Sequence, residues 1–146
     1  MMREVSELDE QTLLHLRENA ALVVKQADTL VDFAFGYTPE SLKWLDGFID
    51  RLRNDGMFDG TGGIDGYINV FGSYLGEAVV RAAGGTWKRC DGDLGVSLPE
   101  GNWTFPFAKV EKLLRGEDGQ SLLGFFEVAL ALPQLMRQTL DKKELK

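Results

Sequence analysis

Apolar residues recur at three- and four-residue steps through most of this chain, and at two-residue steps in one short stretch past its middle. The clearest helical run is Ile64, Tyr67, Ile68, Phe71, Leu75, Ala78, Val79 and Ala82. That spacing puts them on one broad face, which the rest of the chain has to cover. Gly72 and Gly76 lie beside the stripe, one turn apart. Each costs about 1 kcal/mol relative to Ala inside a helix. Close approach is the compensation: where no Cβ stands, a large ring can lie against the helix. Trp87, Trp103 or a Phe of the following strands is expected to fill that notch. Gly84-Gly85 stops the helix, because a left-handed residue after the last turn is least strained as Gly.

The period then shortens. Thr86 to Cys90 predicts a strand, Asp91-Gly92 a turn, and Leu94 to Leu98 a second strand with two-residue alternation. Pro99-Glu100-Gly101 has turn chemistry, and Asn102 to Phe105 predicts a third strand closed by Pro106, which cannot donate to a ladder. Phe107 to Arg115 returns to helical spacing through Val110, Leu113 and Leu114, and Gly116 ends it.

Helices flank this centre. Leu8 to Ala34 keeps helical spacing through Leu13, Leu16, Ala20, Val23, Ala27, Leu30, Val31 and Ala34, as one helix or as two broken near Asn19. Ser6 with Asp9 resembles a capping box with Asp in place of Glu. Thr38-Pro39-Glu40 is a helix start, with a cap, Pro at the first position and an acid at the positive dipole end. Leu42, Leu45, Phe48, Ile49 and Leu52 form its buried stripe, with Trp44 at the margin. Residues 55–63 form a Gly/Asp loop. Ser121 to Leu132 is helical with Leu122, Phe125, Phe126, Ala129 and Leu130 facing in; Pro133 kinks it or opens a short last helix, and Asp141 to Lys146 is a charged, frayed tail. The expectation is one α+β domain over residues 1–146: N-terminal helices, a glycine-notched central helix, a small antiparallel sheet of about three strands, and C-terminal helices.

Composition narrows the partners. The chain has 146 residues and a formal net charge of −7. That weighs against nucleic acid and anionic membrane, which need clustered Lys and Arg, and suits a basic protein partner. Cys90 is the one cysteine, so no internal disulfide forms, which fits a reducing cytoplasm. The N-terminus has no apolar run of signal-peptide type. Leu122 to Met136 is interrupted by Glu127 and Pro133 and is too short to span a bilayer.

Complete catalytic, cofactor or metal motifs are missing. Gly60-Thr61-Gly62-Gly63 opens a helix, but its spacing fits neither dinucleotide nor P-loop patterns, and Asp55, Asp59 and Asp65 repel an anion. The same aspartates fail the EF-hand pattern, because Met57 stands where an oxygen ligand belongs. His15, the sole histidine, is distant in sequence from Cys90; Ser73 lacks a nucleophile-elbow context. No catalytic, cofactor or metal residue is assigned. The charges that stand out are Glu77 and Arg81, spaced to pair along the central helix. Either they form an exposed pair, or Glu77 points into a groove beside the strands and meets a basic group of a partner. Lys109 would line the same groove, with Trp87 and Trp103 as core or rim.

Phe71-Gly72-Ser73-Tyr74-Leu75-Gly76-Glu77, Gly84-Gly85-Thr86-Trp87, Phe105-Pro106-Phe107 and Lys112 to Gly116 together resemble a small bacterial domain family of unknown function. The resemblance runs from about Leu42 to Phe126 and includes Leu45-Asp46. The chain departs from the family where a longer insert is reduced to Asp91-Gly92-Asp93-Leu94-Gly95. The resemblance implies an α+β fold and no particular activity. The expected function is a bacterial cytoplasmic binding module, with an immunity-type protein that neutralises a basic toxin as one form. The rivals are an enzyme with a site between the central helix and the sheet, and a small-ligand sensor with an aromatic pocket.

Overall fold

The computed structural model describes residues 3–60 and 62–144, with side chains as far as Leu135 and at Gln138. Among these, five α-helices accompany a four-stranded antiparallel sheet. In chain order the elements are β1 (Val5–Glu7), α1 (Glu10–Asp28), α2 (Pro39–Asn54), α3 (Ile64–Ala83), β2 (Thr86–Cys90), β3 (Asp93–Ser97), a short 3-10 turn (Pro99–Gly101), β4 (Trp103–Thr104), α4 (Pro106–Leu114) and α5 (Leu122–Glu144). The α+β class is as expected, with one strand more.

The central helix is more deeply enclosed than one stripe implies. Every residue from Phe71 to Val79 is buried, whichever way it faces, whereas Ala82 is exposed. A helix covered on all sides carries small and apolar residues all round. Here α1 covers one flank, α4 and α5 others, and rings from β2 and α4 lie over the glycines. A Cβ on Gly76 would collide with the benzo edge of the Trp87 indole, and one on Gly72 with the Phe107 ring. The two rings lie side by side, centroids 5.9 Å apart. The notch is therefore filled by Trp87 from β2 and by a Phe, although Phe107 belongs to α4 and not to a strand.

The sheet order is β1-β2-β3-β4. The β2–β3 hairpin turns at Asp91-Gly92, both at positive φ (53° and 86°), between the paired residues Cys90 and Asp93. The fourth strand, β1, is short and wholly exposed. It is held to the edge of β2 by its ladder and by the Asp91 turn: the Glu4 N–H donates to Asp91 Oδ1 (2.9 Å), and the Asp91 N–H donates to the Glu4 carbonyl (2.8 Å).

Three expectations about helices change. First, α1 is a single unbroken helix, but it ends at Asp28, not near Ala34. The Asp28 carboxylate accepts the Phe35 N–H (3.0 Å), and the Phe35 ring is buried against Trp44 and Tyr74. That aromatic seat takes the chain out of the helix although Leu30, Val31 and Ala34 continue the helical spacing. Second, α1 starts with Asp9 as its cap, accepting from the Thr12 N–H at 2.6 Å, and Ser6 is in β1. Third, α5 continues through Pro133 to Glu144, and Leu130, expected inside, is 40% exposed. Leu145 and Lys146 of the expected frayed tail, and Thr61 of the glycine loop, lie outside the described residues.

The first turn of α5 is capped across the fold. Asp46 of α2 accepts the N–H groups of Leu122 (2.7 Å) and Leu123 (3.1 Å), and Ser121 Oγ accepts that of Gly124 (2.9 Å). A carboxylate at a helix N-terminus meets both orphan donors and the positive dipole end. No helix among the described residues is long and apolar enough to cross a membrane.

Candidate functional site

A depression of about 580 Å³ lies between α1, α3, the β2–β3 hairpin and the start of α4. Its position follows from the notch. Seating Trp87 and Phe107 on the glycines sets the hairpin and α4 against the middle of α3, while α1 packs alongside. Leu16, Ile68, Leu94, Phe105 and Phe107 give the groove an apolar floor. Thr12, Asn19 and Asn69 supply neutral donors and acceptors, and His15, Arg89, Asp93 and Glu111 supply ionisable groups. Glu111 also pairs with Arg115 at 3.2 Å. At the head of α1, Asp9 is held below the usual carboxylate range, first by the Thr12 hydrogen bond and to a smaller extent by the charges of Arg89 and His15.

Two nucleophile candidates are placed by the same geometry. Ser73 lines the groove, but its hydroxyl donates to the Asn69 carbonyl one turn back (2.6 Å). Cys90 is buried and does not line it; Arg3 Nη1 lies 3.9 Å from its sulfur. His15 and Cys90 therefore do not share this depression. The described residues contain no group of three or more His, Cys, Asp or Glu that could hold a metal ion.

The five residues expected to line one groove divide into three places. Glu77, Arg81 and Trp87 meet. Arg81 Nε approaches Glu77 Oε2 at 3.4 Å, and the Trp87 indole N–H donates to Glu77 Oε1 at 3.1 Å. Yet Glu77 is buried, 4% exposed, with one oxygen taken by the Trp87 indole and the other by Arg81. It is neither an exposed pair member nor free for a partner's basic group; it pins the indole on its glycine seat. Arg81 is exposed and spreads over the Tyr37 ring, 4.1 Å from its centroid. Tyr37 stacks on Tyr74, whose hydroxyl donates to the Gly36 carbonyl at 2.6 Å. Burial pushes both phenols above their ordinary range; Arg81 opposes the shift at Tyr37.

Trp103 is half-buried on β4 and stacks on Phe105 (6.2 Å, 12°), reaching the groove only through that ring. Lys109 faces the other way: its amine bonds Gln120 Oε1 and lies 5.9 Å from the Phe125 centroid, beside α5. The groove lining that sequence reading missed, Thr12, Asn19, Asn69, Asp93 and Glu111, comes from four elements. The polar faces of α1 and α3 carried the signal, but only packing shows that they border one space.

No family model matches the chain, and neither does any curated protein or solved structure.

Proposed function

We propose that this protein is a binding module of the bacterial cytoplasm and that the groove between α1, α3, the hairpin and α4 receives a segment of a basic protein partner. The observation that supports it is the groove's composition. An apolar floor lies beneath side chains that both donate and accept, with Asp93 and Glu111 at the border. A docked segment needs apolar contact for affinity and polar partners for its own backbone and side chains. The net charge of −7 favours a cationic partner and speeds its approach. An immunity-type protein that blocks a basic toxin is one concrete form of this reading.

An enzyme acting on a small substrate in the same groove is the second reading, favoured by His15 on its wall. Against it, the one serine in the groove spends its proton on a helical carbonyl and is not presented to a base.

A photo-crosslinking residue at Thr12 or Asn69, compared with one at Asp55 outside the groove, tests the proposal in a lysate of the source cell. Groove positions should each yield an adduct with the same basic protein, suppressed by added unlabelled chain and by raised salt. Equal adducts from Asp55, or none from either groove position, would overturn it.

A further inference from the structure

A second concavity shares no lining residue with the groove. It lies between α1, α2 and α3, has a volume of about 210 Å³, and exposes apolar surface only. Leu22 and Leu30 stand at its edge, 47% and 60% exposed. Trp44 forms one wall and is held from two sides: it stacks on Phe48 (5.1 Å, 15°) and meets the edge of Phe35 (5.7 Å). Gln26 and Tyr67 bring polar groups to the lining, yet the surface they leave exposed in it is apolar.

Charge lies beside this cleft on one side. Trp44 also borders a shallower depression with Lys43, Arg51 and Glu40. The Arg51 guanidinium carbon lies 5.9 Å from the centroid of Phe48, a ring that lines the cleft itself. Arg53, Arg81 and Arg115 each pair with a helical carboxylate, whereas neither Lys43 nor Arg51 forms an ion pair among the described residues. Gly47 keeps the surface open between them, since a Cβ there would meet nothing.

We propose that this cleft binds a small apolar molecule bearing one carboxylate, an aryl or short-chain alkyl acid. Size sets the tail: an apolar cavity of about 150 Å³ holds a benzene ring, so 210 Å³ takes one ring with a substituent or an alkyl chain of similar bulk. That volume is too small for the three or four anchor side chains of a docked helix. Charge sets the head: two unpaired cations beside the Trp44–Phe48 wall, against the single carboxylate of Glu40, favour an anion. The apolar body fills the cleft, and the carboxylate turns over the stacked rings towards Arg51 and Lys43.

The test is titration of the full chain, followed by nitrogen–proton correlation spectra, with 4-ethylbenzoate, octanoate, heptylamine and acetate. The two larger acids should give saturable shifts at Leu22, Val70 and the Trp44 indole. Heptylamine, with the same alkyl tail and opposite charge, should bind about tenfold more weakly, and acetate should give no shift. Lys43→Gln with Arg51→Gln should bring octanoate and heptylamine to equal affinity. Leu22→Trp, at an exposed position that leaves the core intact, should fill the mouth and abolish both. Four results would each overturn the proposal: no saturation by either acid, equal binding of heptylamine by the unsubstituted chain, shifts confined to Thr12 and Asn69, or cleft shifts that follow protein concentration without ligand. The last would mean that a second copy covers the surface.

Discussion

At Gly76 two opposing effects can be weighed. Alanine would gain about 1 kcal/mol of helix propensity. Its methyl would also occupy the volume of the Trp87 benzo ring, and forcing extra atoms into a packed core costs about 1–3 kcal/mol. The indole cannot retreat without leaving Glu77, and a stranded buried donor costs about 1–3 kcal/mol more. Gly76→Ala should therefore destabilise the fold by about 1–5 kcal/mol in urea unfolding, with a changed near-ultraviolet tryptophan signal. An unchanged or raised midpoint would show that Trp87 does not need the missing side chain. Gly72→Ala should cost less, because Phe107 is only half-buried and can swing outward. Glu77 itself separates charge from hydrogen bonding. Glu77→Gln keeps an acceptor for the indole, while Glu77→Leu strands the donor and should cost about 1–3 kcal/mol more than the Gln variant. Equal losses would assign the stabilisation to the Arg81 pair instead.

Among the elements, the join of α2 to α5 depends on pH. Burial raises Asp46 above its ordinary value of 3.8, against the two hydrogen bonds from Leu122 and Leu123, which act to lower it. A carboxyl whose folded value is raised contributes most below its unfolded value and loses that contribution as pH rises through the folded one. Asp46→Asn does not titrate and keeps one acceptor oxygen. The stability gap between the natural chain and this variant should therefore narrow as pH climbs from 3.8 through the mildly acidic range, read by urea unfolding at each pH. A gap that widens would mean that the helix-end hydrogen bonds outweigh desolvation. The strands show a related contrast. The β2–β3 hairpin is legible because Asp91-Gly92 has its own turn chemistry. The β1 strand is not, because Val5-Ser6-Glu7 is short, polar at two of three positions and exposed throughout. Only the free edge of β2 and the Asp91 carboxylate make it a strand.

At the scale of the whole molecule, α1 and α3 pack together and border a concavity on each of two flanks, one of mixed polarity and one apolar. Their linings are disjoint, so the two should be separable by mutation. Asn69→Lys should abolish groove crosslinking and leave octanoate affinity within about twofold, while Leu22→Trp should do the reverse; changes at sites without shared partners usually add. If either substitution abolished both, the two surfaces would be one functional unit. A shared loss of stability is the alternative cause, and unfolding curves of both variants would expose it.

The order and kind of most elements were legible in the residues, because period, caps and turn chemistry act locally. Ile64 to Ala83, Thr86 to Cys90 and the start at Thr38-Pro39 stand where those signals place them. The glycine pair also announced a close approach by an aromatic ring, since two such costs one turn apart call for a compensating contact. Tertiary structure decided what no local signal carries: that Glu77 is buried beneath Trp87, that Lys109 faces α5, that Phe35 draws the chain out of α1, and that side chains of five elements border one groove. Those outcomes depend on which faces meet, and helical spacing gives a side chain's direction without giving what stands opposite.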